Sequence, residues 1–119
     1  MNQTMPFRER CVIFSAAILK LSSRLPRTTA GRHVAGQMLR SGTSIGANVH
    51  EARSAESRAD FIHKMQVALK EARETAFWLA LIRESDLMDH ALLMPLYQEC
   101  DELQAILAKS VMTARKNGD

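Results

Sequence analysis

The sequence predicts an all-α protein folded as an antiparallel, up-down four-helix bundle. Apolar residues recur every three or four positions in four long segments, the spacing of helices that bury one face. Punctuation is sparse: 5 Gly and 3 Pro in 119 residues leave room for only a few reversals. Ala, Leu, Ser and Arg are common and β-branched residues thin, which favours helix over strand. No stretch alternates as a strand would. A chain of 119 residues, 46% hydrophobic, makes one domain over 1–119 with enough apolar material for a core.

The first helix is predicted over about 6–24. Pro6 suits a first turn, where its missing N–H is no loss. Val12, Ile13, Ala16 and Leu19, with Ser23 at the end, form the stripe expected to face the core. Leu25-Pro26 stops the helix, because the residue before proline is pushed out of the α region.

The second helix is predicted over about 29–55, with a hydroxyl cap from Thr28 or Thr29. Val34, Met38, Ile45 and Val49 mark one face; Ala35, Gly42, Gly46 and Ala52 thin another. The glycines mean either a kink near Ser41-Gly42 or a close helix crossing. The preferred reading is a continuous helix that lets a neighbour's backbone approach.

The third helix, about 58–85, opens on Ser57-Arg58-Ala59-Asp60, a capping box with Asp in place of Glu. Phe61, Met65, Ala68, Leu69, Ala72, Ala76, Leu79 and Ile82 form its stripe, widened by Phe77, Trp78 and Leu81. The fourth helix, about 89–114, presents Leu92, Leu93, Leu96, Cys100, Leu103, Leu107 and Val111, with Pro95 inside its first two turns. Lys116 to Asp119 reads as a frayed tail. Short connections make neighbouring helices antiparallel. Helices two and three are apolar over more than the ~100° of an ordinary surface helix, so self-association is expected to cover the excess.

Charge is unevenly distributed. Residues 1–58 hold 9 basic and 3 acidic residues, residues 59–119 hold 7 and 10. Such a basic half either packs against the acidic one or attracts phosphate. Arg24, Arg27, Arg32, Arg40, Arg53 and Arg58 are the candidate nucleic-acid contacts, since a guanidinium offers two parallel donors to phosphate. The sequence supplies no evident aromatic platform beside them.

The chemistry of sites is sparse. His33, His50, His63 and His90 lack the paired Glu-x-x-His spacing of a di-metal bundle, so no metal site is expected. Ser41-Gly42-Thr43-Ser44-Ile45-Gly46 lacks the Gly-Lys-Ser/Thr ending of a phosphate loop. Neither Cys11 nor Ser44 sits in a nucleophile elbow, and both cysteines are expected as buried free thiols. No catalytic residue and no cofactor is expected. There is no secretory signal and no run near the ~18 apolar residues of a membrane span, so the expected compartment is the cytoplasm.

Ser44, Asn48 and Glu51 stand at i, i+4 and i+7 of the second helix, with Glu74 placed to meet them from the third. Together with Asp60 they are read first as a polar network fixing register between helices or subunits, because polar groups on a packed face need partners.

Ser44-Ile45-Gly46-Ala47-Asn48-Val49-His50-Glu51-Ala52, followed by Ser57-x-x-Asp60-Phe61 and the stretch Ala68 to Glu74, resembles the four-helix-bundle proteins of 23S rRNA intervening sequences. The likeness spans about Phe7 to Ala108. The family often has Gly where Ala52 stands, and Gly-Ser where Lys70-Glu71 stand. The resemblance implies an up-down bundle, a ring-shaped homo-oligomer (a pentamer) and kinship with the accessory protein of diversity-generating retroelements, which partners a reverse transcriptase and binds nucleic acid. The function it implies is a non-enzymatic RNA- or DNA-binding accessory factor. The alternative is a scaffold whose partner is another protein and which binds no nucleic acid.

Overall fold

The computed structural model describes residues 4–117. Four helices follow one another: α1 Phe7–Ser22, α2 Thr29–Ala52, α3 Arg58–Glu84 and α4 His90–Lys116. α1 has Pro6 at its N-cap position and no side-chain cap, whereas α2, α3 and α4 each start at a capping side chain. Thr28 Oγ1 accepts from the Gly31 N–H, Ser57 Oγ from Asp60 N–H, and an Asp89 carboxylate oxygen from Ala91 N–H, so each side chain satisfies a donor that has no partner inside its helix. Asp60 reaches back to the Glu56 N–H at 3.2 Å, one residue earlier than a strict capping box. α3 ends in a Schellman turn: Leu87 N–H donates to Ile82 O and Asp86 N–H to Arg83 O, with Asp86 left-handed at φ 53°. α4 runs unbroken through Pro95. Of the tail expected to fray, Lys116 closes α4 and Asn117 caps it, while Gly118 and Asp119 lie outside the described residues.

Neighbours run antiparallel. Ile18 lies on Gly42 and Cys11 on Gly46; Ser41 meets Thr75; Ala72 meets Cys100. The packing order is α1 on α2, α2 on α3, α3 on α4, with α4 returning to α1 over a shorter zone. The result is elongated, 49 × 28 × 20 Å. The core holds Phe14, Ile18, Met38, Ile45, Leu79, Ile82, Leu93, Leu103 and Leu107. Among the described residues, no helix is long and apolar enough to cross a membrane.

α2 is continuous, as preferred from sequence, and a close crossing with α1 lies at Gly42 and Gly46. A Cβ at Gly42 would lie 2.7 Å from Ile18 Cγ2. Gly31 is needed for another reason: a Cβ there would overlap the Pro26 carbonyl, where the chain turns into α2.

α1 corrects the sequence reading. The predicted stripe faces outward, with Val12 53%, Ile13 39% and Leu19 56% exposed, and Ala16 and Ser23 exposed too. The core instead receives Cys11, Phe14, Ile18 and Leu21. The helix is apolar nearly all round, so two stripes have equal helical spacing, and the one carrying bulky Phe14 fills the core. In α4, Leu92 is likewise 41% exposed while Leu93 is buried.

Candidate nucleic-acid interface

The six candidate arginines fall into three groups. Arg24 and Arg27 lie in the connection between α1 and α2, and Arg32 stands one turn into α2; all three are exposed. Their guanidinium groups make no hydrogen bond or ion pair among the described residues. Arg53, the cap of α2, and Arg58, the first residue of α3, sit at the opposite end. At 1.5 Å rise per residue, Arg32 and Arg53 are about 30 Å apart along α2. Arg40 lies between them on the α2–α3 face, held by two carboxylates: Glu71 at 3.0 Å and Glu74. A guanidinium neutralised by two acids is poorly placed to take up phosphate as well. One subunit therefore gathers only Arg24, Arg27 and Arg32, with Lys20 exposed on the last turn of α1 beside them.

The predicted polar positions also separate. Ser44 Oγ donates to Arg40 O at 2.7 Å and Asn48 Nδ2 to Ser44 O at 2.8 Å, both within α2. Glu51 crosses to Lys64 of α3 at 3.0 Å, and Asp60 serves the α3 cap. Glu74 meets Arg40, and it accepts the indole N–H of Trp78 at 3.0 Å. The Trp78 bond and then the Arg40 guanidinium hold the Glu74 carboxyl below the usual carboxylate range. The ties between α2 and α3 are thus Arg40–Glu71/Glu74, Glu51–Lys64 and the buried Ser41–Thr75 hydroxyl pair at 2.9 Å.

Sequence reasoning missed the principal tie between α1 and α4. Arg10, 5% exposed, forks onto Glu99, 4% exposed, with Nε to Oε2 at 3.1 Å and an Nη2 to Oε1 at 2.5 Å; Glu102 adds a contact at 3.3 Å. Bonding to Glu99 raises the Arg10 pKa above its usual value. A signal was available. Arg10 is in phase with Phe14 and Ile18, and Glu99 with Leu96 and Leu103, so opposite charges stand at core positions of two helices.

Both thiols are fully buried and unpaired, and burial pushes each up to about 12. Among the described residues no group of three His, Cys, Asp or Glu side chains is placed to hold a metal.

Aromatic groups were undervalued. Trp78 packs partly against the core, with His33 of α2 at 5.9 Å and Phe77 at 5.0 Å, both rings near perpendicular to the indole.

The comparisons agree with this architecture. No curated protein is significantly similar to the chain. A crystal structure of a protein of unknown function from the S23 ribosomal protein family of Bacteroides thetaiotaomicron VPI-5482 superposes with a TM-score of 0.84 at 35% identity, covering 89% of this chain and 98% of that one. The profile of the 23S rRNA-intervening sequence protein family matches residues 4–109, nearly the full length of the bundle, and the chain belongs to that family.

Proposed function

We propose that the protein is a non-enzymatic, self-associating helical bundle of the cytoplasm that binds RNA or DNA as a ribonucleoprotein accessory factor. The observation that carries the reading is the group of exposed, unpartnered guanidinium groups of Arg24, Arg27 and Arg32 at one end of the bundle. Phosphate is the ligand such a group attracts most strongly. The test is binding of a labelled single-stranded oligonucleotide at two salt concentrations. Replacing the three arginines with Gln weakens binding and flattens the dependence of log K on log salt by about 2, at ~0.7 per lost single-strand phosphate contact. Unchanged affinity and slope reject the surface.

Self-association is supported by the outward face of the α1–α2 hairpin. Val12, Ile13 and Leu19 project there, and residues 11–19 of α1 and 41–49 of α2 contain no charge. Between the helices runs a groove lined by Leu19, Ser22, Ala35, Gly36 and Leu39. Among the described residues the buried Ser22 hydroxyl has no hydrogen-bond partner, and Gly36 has open space where a Cβ would stand. A neighbour seated there would cover the stripe, supply a partner for Ser22 and use the room at Gly36. A ring, the pentamer of the family resemblance, would repeat the three arginines and let weak contacts add. Light scattering of Leu19→Glu against the parent protein tests it: a shift toward lower mass is expected, and an unchanged mass rejects this face.

A second reading, a scaffold for another protein such as a reverse transcriptase, draws on the groove between α1 and α4. Its floor is Ala17, Leu21, Leu92, Pro95 and Leu96, and Lys20 and Arg24 form its basic rim. Partner capture that survives nuclease treatment favours it over the first.

A further inference from the structure

We propose that Phe77, Trp78 and His33 form a stacking platform for an unpaired base of a single-stranded nucleic acid whose phosphates follow Arg24, Arg27 and Arg32. The inference rests on the nucleic-acid reading above and names the form of nucleic acid.

Three rings from two helices lie in one continuous cluster. Trp78 is anchored: its indole N–H is bonded to Glu74, and its body packs on the core. His33 approaches it from α2 at an interplanar angle of 79°, and Phe77 from the next position of α3 at 72°. Phe77 is 56% exposed, and Leu81, one turn on, is 37% exposed. A lone exposed Phe would need no explanation. An exposed ring braced by a fixed indole is a preorganised apolar surface, and it loses little side-chain freedom when something stacks on it.

Position selects the occupant. His33 follows Arg32 in the chain, and the antiparallel packing brings Trp78 to the same end of the bundle as Arg24, Arg27 and Arg32. The N-terminal turn of α2, with its partial positive charge, lies there as well. The carboxylates beside the rings, Glu71 and Glu74, share Arg40, and Lys70 adds a second positive charge near Glu74. The remaining acids of that end, Glu84, Asp86 and Asp89, lie at or beyond the end of α3, leading into α4. A polyanion is therefore favoured at the start of α2, beside Arg27 and Arg32, and Arg24 extends the basic end toward the α1–α4 groove. Cationic donors beside aromatic faces are the combination that holds single strands, since every base offers a π-face and only an unpaired base can leave its helix to use it. A protein ligand would use the rings and have no need of the arginines.

The experiment uses the full chain and fluorescein-labelled oligo(dT) and oligo(U) of about 15 nucleotides, with a matching duplex. Trp78, the only tryptophan, reports directly through its emission. Saturating single strand is expected to quench Trp78. Phe77→Ala weakens single-strand binding roughly 5-fold or more, leaves duplex binding unchanged, and Phe77→Tyr restores it. Melting curves confirm that each variant folds. If the parent protein binds oligonucleotide through its arginines while Phe77→Ala is neutral and Trp78 emission stays constant, the platform is wrong and the wider reading stands. If no oligonucleotide binds even at low salt, both are wrong. If Phe77→Ala changes the mass of the assembly instead, the rings are a contact between subunits and the platform is overturned.

Discussion

Gly42 of α2 lies so close to Ile18 of α1 that a methyl group at position 42 would sit 2.7 Å from Ile18 Cγ2. Ile18 is β-branched and fully buried, so it has no rotamer into which to retreat. Gly42→Ala therefore costs about 1–2 kcal/mol net, overpacking outweighing the ~1 kcal/mol gained in helix propensity. Gly46→Ala, whose Cβ would meet Cys11 Cβ at 3.3 Å, is close to neutral. Gly36→Ala meets nothing within 4 Å and stabilises the subunit by about 1 kcal/mol, while weakening the proposed self-association. Urea unfolding of the three variants gives the order.

The Arg10–Glu99 pair ties α1 to α4 in a site almost closed to water. Glu99→Ala leaves a guanidinium buried with only Glu102 at 3.3 Å, and about 3 kcal/mol of stability is lost. Replacing both partners, Arg10→Met with Glu99→Leu, recovers most of it, because no unmatched charge remains. A double-mutant cycle by denaturant unfolding measures the coupling.

Glu74 makes stability fall in acid. Its carboxyl is held below its unfolded value near 4.5, first by Trp78 and then by Arg40. The stabilisation is present above that value and is lost as pH drops through it toward the lower folded one. The excess Tm of the parent protein over Glu74→Gln should thus be constant near neutrality and shrink as pH falls below about 4.5. A gap independent of pH over that range refutes the assignment.

Cys11 and Cys100 should be inert. With both thiols pushed up to about 12, almost no thiolate exists near neutral pH, and neither sulfur is open to solvent. A thiol reagent added to the native protein at pH 8 is expected to modify neither, and to modify both in denaturant. The neutral thiols stabilise the fold below their unfolded pKa. That contribution disappears as pH rises from about 9 toward 12.

Asp86 occupies a left-handed position that glycine prefers. Asp86→Gly should raise stability by about 0.5–1 kcal/mol, less whatever the exposed Asp86–His90 contact contributes. Thermal unfolding of Asp86→Gly in the parent chain and in a His90→Ala background separates the two effects.

The helices were legible in the sequence because caps and apolar periods are local signals: Thr28, Ser57 and Asp89 each sit at the start that the sequence implies. The close crossing at Gly42 was legible too, since a helix-interior glycine is costly unless something lies against it. The buried face of α1 was not, because both of its faces are apolar and only the neighbouring helices decide which is covered. Nor were the partners of Arg10 and Arg40, which lie 89 and 31 residues or more away in the chain. The six arginines looked like one surface because the sequence places them on one hairpin. The length of α2 is what divides them.

The weakest closure of the bundle is the line along which α1 returns to α4. A helix fastened to one neighbour along its length and to another mainly at Arg10 can swing out as a unit when that fastening loosens. Amide hydrogen exchange in α1 should then run ahead of exchange in α2 and α3. At high concentration the freed helix could also seat on another molecule's hairpin, so that copies trade their first helices and become entangled without any change in sequence.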